Sequence, residues 1–260
     1  MKKVLTIAGS DCSGGAGIQA DIKTITVHKM YAMSAITALT AQNTTGVYGI
    51  LEATPEFVGH QLDCIFEDIR PNAVKIGMVS NIDIIKTIAR KLSEYEAENI
   101  VVDPVMVSTS GGKLLDDDAI EALISYLFPL ATVITPNILE AESLVGFPVK
   151  IKEDMRKAAE HIAEFTKGSV LVTGGHLEGT TTFDLLRTRE KEFWFKAPKI
   201  DNPNTHGTGC TLSSAIACNL AQGLTLHDSV KKAKEFITGA IKANLKLGKG
   251  RGPLNHCFNL

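Results

Sequence analysis

Short apolar runs recur along the 260-residue chain and alternate with stretches of helical spacing. The runs are VLTIAG (4–9), MSAITAL (33–39), NAVKIGM (72–78), NIVVDPV (99–105), ATVITPN (131–137) and SVLVTGG (169–175). Runs of this kind predict strands of a parallel sheet covered on both faces. Residues 55–69 predict a helix, with Thr54 as N-cap, Pro55 at its first position, and Phe57, Leu62, Ile65, Phe66 and Ile69 along one stripe. Residues 82–96 repeat the theme with Ile82, Ile85, Ile88, Ala89 and Leu92. Around 181–196 the pattern changes to two β-like runs, TTFDLLRT and EFWFKAP, which predict an antiparallel hairpin at a sheet edge. Helices over 208–222 and 225–246 follow. No repeat, low-complexity tract or linker interrupts the series, so the expectation is one α/β domain over residues 1–260.

Composition narrows the function classes. Lys and Arg number 27 against 29 Asp and Glu, a net charge of −2, so neither a nucleic-acid nor an anionic-membrane partner is expected. No run approaches the ~20 apolar residues of a membrane span, and Asp11 interrupts the apolar N-terminal stretch that faintly resembles a secretory signal. The five cysteines (12, 64, 210, 218 and 257) form no CxxC pair, so neither a disulfide framework nor a zinc site is indicated. A reduced cytoplasmic protein is expected.

In open α/β sheets, ligands bind beyond the carboxyl ends of the strands. The segments there are GSDCSGGAG (9–17), TAQN (40–43), GM (77–78), DPVM (103–106), TPNILEAE (135–142) and TGGH (173–176), all small, polar or acidic. GSDCSGGAG lacks the Lys-Ser/Thr of a phosphate-binding P-loop. Its GAGIQA matches G-x-G-x-x-A, but no acidic residue near position 40 is placed to hold a ribose. A glycine-rich start to a substrate-binding helix, with Asp21 in the next turn, fits better. Gln42 offers a donor and an acceptor in one plane, which suits the edge of a heterocycle, and an ordinary loop amide is the alternative. Asp103 and Glu140, at adjacent strand ends, suit a Mg²⁺ ion held partly through water and phosphate. Alternatively they serve as turn and helix caps.

In NTHGTGCTLSSAIA (204–217), Gly207 and Gly209 allow backbone conformations that aim successive N–H groups into a concavity. Leu212, Ile216 and Leu220 lie at helical spacing, so Cys210 falls at a helix N-terminus, where unpaired N–H groups and the dipole favour an anion. Such a site suits a transferring phosphoryl group, and its field is expected to lower the Cys210 pKa. A glycine-rich turn with a small first residue is the structural alternative. Cysteine-hydrolase chemistry would call on His206, but no Cys/His pattern supports it.

Taken in order and spacing, GSDCSGGAGIQAD, TAQNT, KIGM, DPVM, TPN with EA, GGH and NTHGTGCTLS resemble the hydroxymethylpyrimidine/phosphomethylpyrimidine kinases of thiamin biosynthesis, in the ribokinase-like superfamily. The resemblance runs from about residue 3 to 255 and implies a three-layer ribokinase-like fold: a mostly parallel central sheet, helices on both faces and an antiparallel edge hairpin. It implies ATP and Mg²⁺ as cofactors, a pyrimidine alcohol and then its monophosphate as substrates, and a homodimer. By matching motif, Asp21 and Gln42 would contact the pyrimidine near Gly9, with Met78 and Val105 packed beside it. Gly207, Thr208 and Gly209 would form the anion hole, and Cys210 would accept the hydroxyl proton where sugar kinases of the superfamily keep an aspartate. Asp103, Thr135, Asn137, Glu140 and Thr173 would serve ATP, with Asp103 and Glu140 also serving the metal. Two positions divide the sibling activities. Gln42 points to the pyrimidine, whereas Thr173 stands where many pyrimidine kinases carry lysine and pyridoxal-type relatives carry threonine.

Overall fold

The computed structural model describes residues 1–106, 115–175 and 179–260. Its strands are β1 (Lys3–Asp11), β2 (Tyr31–Asn43), β3 (Gly46–Glu52), β4 (Ala73–Ile76), β5 (Ile100–Val102), β6 (Val133–Ile134), β7 (Ser169–Thr173), β8 (Thr181–Arg187) and β9 (Glu192–Pro198). They form a sheet in the order β3-β2-β1-β4-β5-β6-β7-β8-β9. The pairings from β2 through β7 are parallel, while β3 at one end and β8 and β9 at the other are antiparallel. The β8–β9 edge hairpin matches the sequence expectation. The β2–β3 hairpin was not anticipated: GVYGILE carries two glycines and mostly exposed side chains, so it lacks the apolar run that marks a buried strand. Pairing with β3 also extends β2 past the apolar segment at 33–39.

Helices cover both faces. On one side lie α2 (Pro55–Asp68), α3 (Ile82–Glu94), α4 (Asp117–Ala122), α5 (Ile138–Val145) and α6 (Lys152–Ala163), packed on Leu5, Ile7, Val74, Ile76 and Val102. On the other lie α1 (Gly17–Val27), α7 (Thr208–Ala221) and α8 (Leu226–Lys242), packed on Val4, Ala73, Val101 and Val133. The α2 start is as the sequence predicts: Pro55 opens the helix and the Thr54 hydroxyl accepts from Phe57 N–H at 3.2 Å. Alternation along β4 sends Lys75, between Val74 and Ile76, toward α1 and α7. A lysine in the middle of an apolar strand and fully buried needs a partner there.

The chain order places β1 between β2 and β4, so consecutive crossovers leave β1 in opposite directions. The sheet thereby gains a crevice at the carboxyl ends of its central strands. The segment after α8 returns to this edge: His206 N–H donates to Gly252 C=O at 3.1 Å, and His206 bridges to Pro253. Farther on, buried His256 meets the Thr211 hydroxyl at 2.9 Å through Nε2 and also bonds the Leu254 backbone.

Burial holds the His256 ring neutral and pushes its pKa down to about 4 from an ordinary 6.5. Between those values the unfolded chain binds more protons than the folded one, so stability rises with pH across that window. Thermal denaturation should show stability lost as pH falls from 6.5 toward 4, and His256→Gln should flatten that slope. An unchanged slope in His256→Gln would remove this residue from the account.

Candidate active site

Helix α7 starts at Gly207, whose φ of 83° is left-handed and whose missing Cβ leaves room for the Gly15 carbonyl. Thr208 N–H turns back to the Thr205 carbonyl at 3.2 Å. Among the described residues, the amides of Gly209 and Cys210 have no acceptor, which leaves two donors at the positive end of the helix dipole.

The same turn is fastened from beneath by two buried carboxylates. Ser213 donates to Asp103 Oδ2 at 3.1 Å, and Ser214 donates to Asp21 Oδ1 at 2.7 Å. Asp21 is 0% exposed, as is Lys75, whose ammonium sits 3.0 and 2.9 Å from its two oxygens. Thr6 adds a third donor to Asp21 at 2.6 Å. Asp21, expected to touch the pyrimidine, is thus enclosed by protein groups, and its influence reaches the site through α7. Burial works against the charge on Lys75, but Asp21, with Cys210 and Asp103 nearby, holds it above the ordinary lysine range.

Cys210 lies between the starts of two helices, accepting a hydrogen bond from Gly17 N–H of α1. The sequence predicts a thiol made acidic by this position. The structure reverses that expectation: burial pushes the thiol up to about 12, outweighing Lys75 and the Gly17 amide.

The residues assigned to the nucleotide and metal lie at or just past the carboxyl ends of β5, β6 and β7 and at the start of α5. Asp103 directly follows β5, and the Thr135 hydroxyl lies 3.4 Å from its Oδ1. Gly209 is so near Asp103 that a Cβ there would meet its Oδ2 at 3.4 Å. Asn137 and Glu140 form a complete capping box on α5: Glu140 Oε2 accepts from Asn137 N–H at 2.8 Å, and Asn137 Oδ1 from Glu140 N–H at 3.1 Å. Burial and the Asp103 carboxylate raise Glu140 well above the usual range, and burial raises Asp103 against the pull of Lys75. Thr173 pairs with Asn137 across an isolated bridge, and its neighbour Gly174 donates to Asp184 at 3.0 Å. Asp184 is in turn ion-paired with Lys234 of α8. His176, which ends the TGGH segment, lies outside the described residues.

The residues assigned to the ring lie near the carboxyl ends of β1 and β2 and just after β4 and β5. Gly9 faces Met78, whose Cε would sit 2.7 Å from an added Cβ. Val105 follows the turn closed by its own N–H on the Asp103 carbonyl at 2.8 Å. Gln42 lies half-buried next to the end of β2, its amide 3.3 Å from His206 Nε2 and 3.1 Å from the Thr40 hydroxyl. His206 Nε2 also lies 2.8 Å from Asp11 Oδ2. Asp11 collects the Ser13, Gly15 and Ala16 amides and the Ser13 hydroxyl as well. Burial tends to raise this carboxyl, but the bonds from His206, Ser13 and Ala16 hold it well below the ordinary range.

Sequence reasoning missed Asp11, Lys75, Ser213, Ser214 and Asp184 as parts of this arrangement. The signals existed for two of them: Asp11 two residues before Ser13 reads as an Asx turn, and Lys75 breaks an otherwise apolar strand.

Two outcomes test this geometry. Lys75→Met should cost about 3–5 kcal/mol of stability in denaturant unfolding, because it strands a buried carboxylate, and adding Asp21→Asn should recover at least half of the loss. Timed alkylation at neutral pH should label exposed Cys12, Cys64 and Cys257 well before Cys210 and buried Cys218. Rapid labelling of Cys210 would contradict the raised thiol.

With the geometry in place, comparison with known proteins gives a consistent result. Residues 11–255 match the family described as phosphomethylpyrimidine kinase. The chain is 49% identical over 253 residues to the thiamine biosynthesis bifunctional protein ThiED of Geobacter sulfurreducens, covering 97% of this chain and about half (52%) of that protein. It is 47% identical to the hydroxymethylpyrimidine/phosphomethylpyrimidine kinase of Streptomyces coelicolor, covering 99% of this chain and 95% of the relative. Among solved structures, the phosphomethylpyrimidine kinase of Clostridium difficile superposes with a TM-score of 0.83 at 45% identity, over 93% of this chain and 100% of that one. The ADP complex of Bacillus subtilis pyridoxal kinase superposes with a TM-score of 0.92 at 40% identity, over 98% and 97%. The ribokinase-like fold expected from the motifs is borne out by these neighbours. The chain belongs to the phosphomethylpyrimidine kinase family.

Proposed function

We propose that this chain transfers the terminal phosphoryl group of ATP to the hydroxymethyl oxygen of 4-amino-5-hydroxymethyl-2-methylpyrimidine, and then to the resulting monophosphate. The observation that carries this reading is the start of α7. Two amides, at Gly209 and Cys210, have no acceptor among the described residues, and Gly209 lies beside the buried Asp103 carboxylate. Phosphoryl transfer needs little covalent chemistry from a protein and depends on such positioned donors.

In the first step the alcohol oxygen forms a bond to the γ-phosphorus, the bond to the β–γ bridging oxygen breaks, and ADP leaves. The hydroxyl proton passes to the Cys210 thiolate. Gly207, Thr208 and Gly209 shape the anion hole. Gly9, Met78 and Val105 flank the ring, and Gln42 meets its edge. Asp21 and Lys75 act by holding α7. Thr135, Asn137 and Thr173 line the nucleotide side.

Asp103 and Glu140 fit Mg²⁺: both are oxygen donors, buried, and raised in pKa by their surroundings, which a divalent cation would relieve. Among the described residues no group of three or more acidic, cysteine or histidine side chains is placed to hold a metal. When bound, the ion would neutralise charge on the transferring phosphate. All five cysteines are unpaired, which favours a reducing cytoplasmic setting. Exposed Tyr48, Ile50 and Leu51 on the edge strand β3 support a homodimer.

Thr173 supports a second reading, activity on pyridoxal as well. ADP release measured with each alcohol in turn decides the preference, and release that ignores both alcohols would sink the kinase reading. Because the Cys210 thiol is raised to about 12, its thiolate fraction grows with pH throughout the accessible range. Turnover should therefore rise by roughly tenfold per pH unit near neutrality, as expected for a base below its pKa. Cys210→Ala should lower kcat by about 10²–10⁴ and flatten that profile. Wild-type turnover in Cys210→Ala would remove the proposed base.

A further inference from the structure

Gln42 lies next to the end of β2 at the ring side of the site, and its amide stands with the nitrogen 3.3 Å from His206 Nε2 and the oxygen 3.1 Å from Thr40 Oγ1, the reverse of the sense that the neighbours' protons require. Amide oxygen and nitrogen have nearly the same shape, so the protons of the neighbours decide which end faces which. At one end, His206 Nε2 lies 2.8 Å from Asp11 Oδ2. That carboxylate already accepts from the amides of Ser13, Gly15 and Ala16 and from the Ser13 hydroxyl. A group that accepts from every side is ionised, so Nε2 must carry the proton that bridges to it. An amide nitrogen facing Nε2 would set two donors against each other, and only the amide oxygen suits that place.

The other end gives the same answer independently. The Thr40 hydroxyl has one proton and lies 2.9 Å from the Ser10 carbonyl, which can only accept. With its proton committed there, Thr40 offers Gln42 a lone pair, and the group facing it must be the amide nitrogen.

We infer that His206, locked by Asp11, is a positioning residue that fixes the sense of the Gln42 amide, oxygen toward His206 and nitrogen toward Thr40, and thereby sets which ring edge the site accepts. One N–H and one oxygen lone pair then remain for a ligand, in a fixed order. An edge with an acceptor ring nitrogen beside a donor exocyclic amine matches that pair in one sense only. A ring without the amine forfeits the contact to the oxygen. The inference rests on the reading that Gln42 meets the substrate ring.

The test is calorimetric binding of two probes: the 4-amino pyrimidine alcohol and the same alcohol without its amino group. Wild type should prefer the amino compound by roughly tenfold, the worth of one well-placed hydrogen bond. In His206→Phe, which lacks the donor, and in Thr40→Val, which frees the other end, the preference should shrink to about threefold or less, with binding of an ATP analogue unchanged. His206→Gln, which restores an N–H toward both partners, should recover it. General damage to the loop before Gly207 weakens both probes alike and leaves their ratio intact, so a ratio that survives His206→Phe overturns the inference. A wild-type protein indifferent to the amino group overturns the Gln42 contact itself. The kinase reading is judged apart, by ADP release.

Discussion

The start of helix α7 sits over the carboxyl ends of the central strands because two buried carboxylates hold its first turn from below. Asp103 takes Ser213 and Asp21 takes Ser214, consecutive residues on the inward face of the helix. Two carboxylates in so dry a place repel one another and resist ionisation. Lys75 supplies the charge that makes the arrangement tenable, from the one position on β4 that is polar and faces this side. An ion pair with no exposure gives little net stability against an apolar replacement, but it fixes geometry. Here the geometry fixed is the place where Gly209 and Cys210 present their amides.

Both sides of the site refer to that helix start. Gly209 lies against Asp103, which ties the first turn of α7 to the buried carboxylate after β5. Gly207 closes on Gly15, and His206 binds Asp11, which ties the same turn to the glycine-rich loop between β1 and α1. The proposed phosphoryl position at the α7 amides would therefore be fixed relative to both of these groups. The raised Cys210 thiol follows from the same enclosure: the site that excludes water also disfavours the thiolate, and Lys75 only partly offsets this.

Much of this was legible in the chain because it depends on local pattern. Apolar runs marked the buried parallel strands, Thr54 and Pro55 marked the α2 start, and TTFDLLRT with EFWFKAP marked the edge hairpin. β3 was not legible, since its side chains are exposed and its pairing comes from β2 rather than from its own composition. At the site, the motif residues were found but not their connections. Asp21 sits in a motif that suggests ring contact, whereas its burial comes from Lys75, 54 residues away, and Ser214, 193 away. For Glu140 the metal role and the capping role are alternatives in the sequence, and the structure shows the capping box with Asn137, close enough to Asp103 for that carboxylate to raise the Glu140 pKa. The acidity of Cys210 was misjudged because a helix N-terminus is visible in sequence and the depth of burial is not.

The central claim is that the amides of Gly209 and Cys210 receive the transferring phosphoryl group. A crystal structure of the chain with Mg²⁺, the pyrimidine alcohol and a non-hydrolysable ATP analogue tests it most directly. The account predicts γ-phosphate oxygens within hydrogen-bond distance of both amides, with the alcohol oxygen in line beside the Cys210 sulfur. A γ-phosphate bound away from the start of α7, with those amides turned to solvent, would contradict it.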